Sequence, residues 1–251
     1  MYVSPHLPRD VFGWHSDRLG MSMPLVRYGT EGHPLLLFPT AAADFLENER
    51  FWLIKAVEHH ILAGRVQIFS VDSINKHSWM NEDIHPLEKG RRQALYAAYI
   101  EEEVVPHIRR AVGKDVRIGA SGASFGAFHA ANHVFRRPDL FDTLVAMSGF
   151  YDLDPGYTEG HASDALYFNN PVAYLAHLGG SDLELLEHHT QIHVVTGQGN
   201  WEAPHKSRQL SQVLWDKGIG HNLDLWGHDV AHDWPSWRRM LDFYIGEKLG
   251  W

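Results

Sequence analysis

A single α/β domain, with a mostly parallel central sheet covered by helices on both faces, is the architecture this sequence predicts. Three observations carry it. The chain has 251 residues, 44% hydrophobic and 21% charged, enough for one large core with ordinary globular usage. Short apolar runs alternate with helix-spaced segments along its whole length. No repeat, low-complexity tract or Pro/Gly/Ser-rich linker interrupts them, so residues 1–251 are read as one domain.

The elements follow in order. Residues 11–29, VFGWHSDRLGMSMPLVRYG, read as an antiparallel edge hairpin turning at Leu19-Gly20. HPLLLFPT is a continuous apolar run ending at Pro39, as expected of a strand buried on both faces. Residues 47–64 place Phe51, Ile54, Val57 and Ile61 at helical spacing, with Gly64 as the stop. RVQIFSVD is a strand, and residues 87–113 form one long helix. DVRIGAS is a strand leading into a helix closed by Pro138. TLVAMSG is a strand, and residues 151–180 are irregular, a candidate cap segment. QIHVVTG, SRQLSQVLWDKG and HNLDLWG read as strand, helix and strand. The terminal helix carries a proline near its start. Sheets of this kind place their sites at the carboxyl ends of the strands.

Composition narrows the function. The net charge is −9 and no basic run exceeds an Arg-Arg pair, which disfavours nucleic acid or an anionic membrane as partner. There are no cysteines, hence no disulfide framework, thiolate metal site or cysteine nucleophile. The start MYVSPHLPRDVF lacks a basic stretch followed by an apolar run, and no segment approaches a membrane span. A cytoplasmic protein is the expectation. Nineteen histidines include the pairs His59-His60 and His188-His189, but the H-E-x-x-H pattern is absent and Pro235 follows His228 and His232 closely. No metal is expected.

The chemistry-bearing stretch is GASGASFGAFHA, residues 119–130. It is either a small-residue turn that lets a helix pack close to a strand, or the seat of a nucleophile. Gly122-Ala123-Ser124-Phe125-Gly126 fits G-x-S-x-G between a strand and a helix, where glycines permit the tight turn and the helix start offers unpaired N–H groups. Ser121 has a weaker frame, since Ala123 stands in the last glycine position. A serine needs a base, and the base an orienting acid. Glu202 follows QIHVVTG, and His228 and His232 follow HNLDLWG. His232 is preferred because Asp233-Trp234-Pro235 beside it heads the last helix, with His228 a pocket residue. Glu202 also reads as a first-turn carboxylate, with Asp152 and Asp154 as rival acids. FPTAAADF offers a second oxyanion donor in Ala41 or Ala42, with Thr40 assisting; the bland alternative is an apolar turn. Trp79, Tyr151, Tyr157, Tyr167, Phe168, Trp201 and Trp226 read as pocket lining or as packing residues.

LLLFPTAAADF, IFSVDSINKHSW, YIEEEVVPHIRR, GASGASFGAFHAANHVFRRPDLF and GHDVAHDWPSWRRML resemble the esterase D, feruloyl esterase and enterochelin esterase group, from about residue 25 to the C-terminus. The resemblance implies an α/β-hydrolase fold and a serine carboxylesterase triad of Ser124, an acid and His232, acting on a small-molecule ester. Two departures stand out: Pro39-Thr40 replaces the group's usual His-Gly pair, and the acid is Glu202 rather than aspartate. The expected mechanism is acyl transfer through Ser124, with Glu202 holding His232 and the Phe125 and Ala41 N–H groups holding the oxyanion. It requires no metal or organic cofactor. An acyltransferase using an alcohol acceptor, as in the related mycolyltransferases, and a catalytically silent binding protein are the alternatives.

Overall fold

The computed structural model describes residues 3–153 and 156–251. Eight strands form one sheet: β1 (Arg9–Ser16), β2 (Met21–Tyr28), β3 (His33–Phe38), β4 (Val66–Val71), β5 (Ile118–Ala123), β6 (Phe141–Met147), β7 (Gln191–Thr196) and β8 (Asn222–Leu225). Their spatial order is β1-β2-β4-β3-β5-β6-β7-β8. The β1–β2 hairpin is antiparallel and joins β4 antiparallel, while every pairing from β4 to β8 is parallel. Sequence order reverses around β3, so the crevice between the carboxyl ends of β3 and β5 is where a ligand site belongs.

Ten α-helices complete the described residues: α1 (Glu47–Arg50), α2 (Leu53–Leu62), α3 (Pro86–Tyr99), α4 (Val105–Val112), α5 (Phe125–Arg136), α6 (Asp164–Tyr167), α7 (Pro171–Leu175), α8 (Gly180–His188), α9 (Pro204–Asp216) and α10 (Trp234–Phe243). Alternation along β3 distributes them. Leu35 and Leu37 face a core that receives Leu53, Ile54 and Val57 of α2 and Met240 and Leu241 of α10. Leu36 and Phe38 face the opposite core, filled by Tyr96 and Tyr99 of α3, Ala127 and Ala131 of α5 and Leu210 and Leu214 of α9. Both faces are thereby covered, as the continuous apolar reading of β3 required.

Three segments depart from the sequence reading. The helix expected over 47–64 is split into α1 and α2 by Trp52, whose φ of 61° is left-handed. The helix expected over 87–113 contains a five-residue π turn at Ile100–Val104 between α3 and α4. Pro106 follows this turn; it has no N–H to give, and the wider turn relieves its ring against the preceding carbonyls. The stretch over 151–180 is less irregular than expected, since α6 and α7 lie within it and α8 begins at its end. Leu153, Tyr157 and Leu166 from this stretch pack on Phe125 and Phe128 of α5. Asp154 lies outside the described residues.

Candidate active site

Ser124 stands between β5 and α5 with φ 55° and ψ −118°, a conformation that side chains other than glycine's adopt only under constraint. The constraint is visible. A Cβ on Gly122 would lie 2.4 Å from the Gly126 carbonyl carbon, and one on Gly126 would lie 2.6 Å from the Phe38 carbonyl oxygen. The turn closes this tightly only because both positions lack side chains, and it brings the start of α5 against the end of β3. The Ser124 N–H donates to Met147 O at 2.9 Å, while its hydroxyl makes no cap bond to α5. Ser121 differs: it is buried within β5 and its hydroxyl donates to Val145 O at 2.8 Å. That rival is occupied structurally.

Neighbouring strand ends carry the other groups. Ser148 follows β6 directly and Glu202 follows β7, while His232 lies between β8 and α10. The Glu202 carboxylate is 1% exposed and accepts four bonds. Oε1 takes the Ser148 hydroxyl at 2.6 Å and the Gly197 N–H at 3.2 Å. Oε2 takes the Thr196 hydroxyl at 3.0 Å and His232 Nδ1 at 3.4 Å. Burial alone would raise the Glu202 carboxyl, but the bonds from His232, Ser148 and Thr196 outweigh it and hold the group below its ordinary value. An ionised carboxylate only accepts, so the proton sits on His232 Nδ1 and Nε2 is left as the basic nitrogen. Trp237 presses its ring edge-on to His232, with centroids 5.0 Å apart, and donates from Nε1 to the Ser148 hydroxyl at 3.1 Å. The His232 N–H donates to Asn200 O at 2.9 Å, which ties the loop after β8 to the loop after β7.

This predicts an acid limb in stability. A glutamate held below its ordinary 4.5 contributes stability that is fully present above that pH and lost as pH falls through the depressed native value. Thermal midpoints should therefore decline more steeply below about pH 4.5 in the wild type than in Glu202→Gln, which has no proton to gain. Parallel curves would show that Glu202 is not held in this way.

The other sequence candidates are distributed as follows. Asp152 accepts from Asn170 at 2.9 Å and Gln209 at 2.9 Å, so it serves the 151–180 segment and α9 rather than His232. Thr40 is corrected as an oxyanion donor. Its N–H donates to Glu47 Oε2 at 2.7 Å and its hydroxyl reaches Glu47 Oε1 at 2.9 Å, so both donors are consumed. Ala41 has a φ of 39° and its carbonyl accepts from Ser73 and Asn75. The Phe125 N–H lies at the first position of α5, where no intrahelical acceptor exists.

Trp79 is corrected as a pocket residue: it is 1% exposed and packs edge-on to Phe128 and Tyr157. Trp201, one residue before Glu202, is 90% exposed with a φ of 67°. Tyr151 is buried, Tyr167 and Phe168 lie exposed at and just after the end of α6, and Trp226 packs on Phe243. Only Tyr157 of those aromatics lines the cavity of about 350 Å³ formed with Phe150, Leu153, His205, Lys206 and Gln209; Phe150 and Tyr157 also pack on Phe125. His228 is exposed. His228→Ala should leave turnover within about threefold of wild type, whereas His232→Ala should lower it by about 10³-fold or more. Steady-state ester hydrolysis by the two variants checks this, and the reverse order would exchange their roles.

Among the described residues, one group brings three metal-capable side chains together. His59, His60 and Asp242 hold their donor atoms within 4.8 Å of one another. Both imidazole Nε2 atoms address Asp242 Oδ1, at 3.4 and 3.1 Å. Asp242 lies about 12 Å along α10 from its start beside His232, so this group stands apart from Ser124.

The sequence family described as "Putative esterase" matches residues 70–244, well over half of the chain. The chain belongs to this esterase family. No curated protein matches it. Solved structures give the fold of the esterase. A ferulic acid esterase is similar with a TM-score of 0.74 at 16% identity, over 95% of this chain and 96% of that one. The S-formylglutathione hydrolase FrmB of Staphylococcus aureus has a TM-score of 0.68 at 13% identity, over 97% and 98% of the two chains. Serine hydrolase F, a fluorophosphonate-binding protein of the same organism, has a TM-score of 0.72 at 13% identity, over 96% and 97%. The esterase has the α/β-hydrolase fold. No helix among its described residues is long and apolar enough to cross a membrane.

Ser148, Thr196 and Trp237 were not singled out by sequence reasoning. Ser148 did carry a faint signal, because it stands after β6 where a rival acid was sought. The serine there donates to the Glu202 carboxylate.

Proposed function

We propose that this esterase cleaves small-molecule carboxylic esters by acyl transfer to Ser124. The observation that carries the reading is the Glu202–His232 pair, fixed by Ser148 and Thr196 along the strand ends that also hold Ser124. His232 Nε2 takes the Ser124 proton as Oγ attacks the ester carbonyl, and Glu202 stabilises the resulting imidazolium. The Phe125 N–H and an N–H of the Ala41–Ala42 segment receive the negative oxygen. Imidazolium returns its proton to the departing alcohol, leaving a Ser124 ester. Water then gives a proton to His232 and attacks that ester, and the imidazolium returns the proton to the Ser124 Oγ as the acid departs. The apolar wall of Phe150, Leu153 and Tyr157 supports burial of an apolar ester substituent, with the 151–180 segment as the cap that supplies it.

Nitrophenyl esters of graded chain length test the reading. A burst of nitrophenol equal to the enzyme concentration, followed by slower turnover, is expected where deacylation limits. An enzyme that neither hydrolyses any of the series nor reacts with a fluorophosphonate would overturn it.

A further inference from the structure

Behind the site lies a buried polar chain that the reaction does not itself use. His129 on α5 is 1% exposed and Asn75 and Gln93 are fully buried. Burial lowers the His129 imidazole to about 3, so the ring is neutral and carries a single proton. The two amides decide which nitrogen holds it. Asn75 Oδ1 lies 2.9 Å from His129 Nε2 and only accepts, so Nε2 is the donor. Nδ1 is then the acceptor for the Gln93 Nε2 amide at 3.2 Å. Asn75 is oriented in consequence, and its Nδ2 donates to the Ala41 carbonyl. Every bond therefore points the same way, from α3 through the nucleophile helix to the loop after β3. Ser73 adds a second donor to the same carbonyl at 3.1 Å and itself accepts the Asn75 N–H at 3.1 Å.

The end of the chain matters because a trans peptide is planar and places C=O and the following N–H on opposite sides. Fixing the Ala41 carbonyl fixes the Ala42 N–H in the reverse direction. Neither the Ala41 nor the Ala42 N–H donates to another described residue. The positive φ of Ala41 is a conformation that alanine does not hold unaided, and two donors on its carbonyl supply the hold. Gly126 places the first turn of α5 against Phe38 and Pro39, so this loop and the Phe125 N–H flank one crevice.

We propose that Gln93, His129 and Asn75, with Ser73, form a one-directional hydrogen-bond relay that aims the Ala42 N–H as the second oxyanion donor. The relay residues are positioning residues, and the proposal rests on the acyl-transfer reading above. His129 enters through its shape and fixed tautomer. It transfers no proton.

The test pairs kinetics with binding of an alkylboronic acid, whose tetrahedral adduct on serine carries the negative oxygen. Asn75→Asp keeps the shape and the acceptor for His129 but removes the donor to Ala41. Ser73→Ala removes a single oxygen and serves if the first variant fails to fold. In Asn75→Asp, kcat is expected to fall about 10²-fold or more, near the effect of losing one oxyanion donor. Boronate affinity should fall in proportion, KM should stay within about threefold, and the acid-side midpoint of the kcat/KM profile should not move. Ser73→Ala should lower kcat and boronate affinity together by about tenfold. Wild-type boronate affinity in both variants, or a kcat loss without an affinity loss, overturns the relay alone. A wild-type enzyme that neither turns over ester nor binds boronate overturns the acyl-transfer reading and the relay with it.

Discussion

Ser124→Ala is expected to lower ester turnover by about 10⁴- to 10⁶-fold and to abolish covalent labelling by a fluorophosphonate. The substitution removes one oxygen and keeps a Cβ in place, so the tight turn faces the same constraint as before. Its φ of 55° is set by Gly122, Gly126 and the N–H bond to Met147, none of which involves the hydroxyl. The fold should therefore survive, and the loss of rate should be a loss of nucleophile. Any residual rate comes from the oxyanion donors and binding alone. Mass mapping of the phosphonate adduct in the wild type gives the complementary result. Label on Ser121 would contradict the structural use of that hydroxyl within β5 and sink the assignment.

Glu202→Gln should lower turnover by about 10³- to 10⁴-fold with the enzyme still folded, and the hydrogen-bond pattern shows why so conservative a change costs so much. Four donors converge on two carboxylate oxygens. An amide replaces one acceptor by a donor. If its NH₂ took the Oε1 position it would meet the Gly197 N–H, which cannot accept. It must therefore take the Oε2 position, where the Thr196 hydroxyl can rotate to accept but His232 Nδ1 is forced to give up its proton. The imidazole is then locked with its proton on Nε2, the nitrogen that must be basic toward Ser124. Turnover near wild type in this variant would return Glu202 to a structural part at the start of α9.

The strands were legible because parallel strands buried on both faces leave unbroken apolar runs, as in HPLLLF and VQIFSV. The turn around Ser124 was legible because two close backbone approaches demand glycine at fixed spacing. What stayed hidden depends on contacts between distant residues. Nothing local to Trp52 announces a left-handed break, and no pattern couples Thr40 to Glu47 or Ser148 to Glu202. Thr40 looked like a spare donor until a buried carboxylate seven residues on was seen to occupy it. The aromatic residues stayed open between pocket and packing for a similar reason. A tryptophan in a loop near a site reads the same whether it lines the opening, as Trp201 can, or is sealed beneath it, as Trp79 is.

The groups around Ser124 meet across long stretches of chain: His232 and Glu202 are 30 residues apart, Glu202 and Ser148 are 54, and Trp237 and Ser148 are 89. Each lies at the end of a different crossover on one half of the sheet, while the β1–β2 hairpin at the other edge closes locally through a turn at Leu19-Gly20. Contacts of such separation form late, because loop closure must be met before any of them is made. Competence to react with a phosphonate is therefore a clock for the end of folding. During refolding from denaturant, far-ultraviolet ellipticity should recover first and reactivity at Ser124 last, with the lag between them measuring the time needed to bring the strand ends and α10 together.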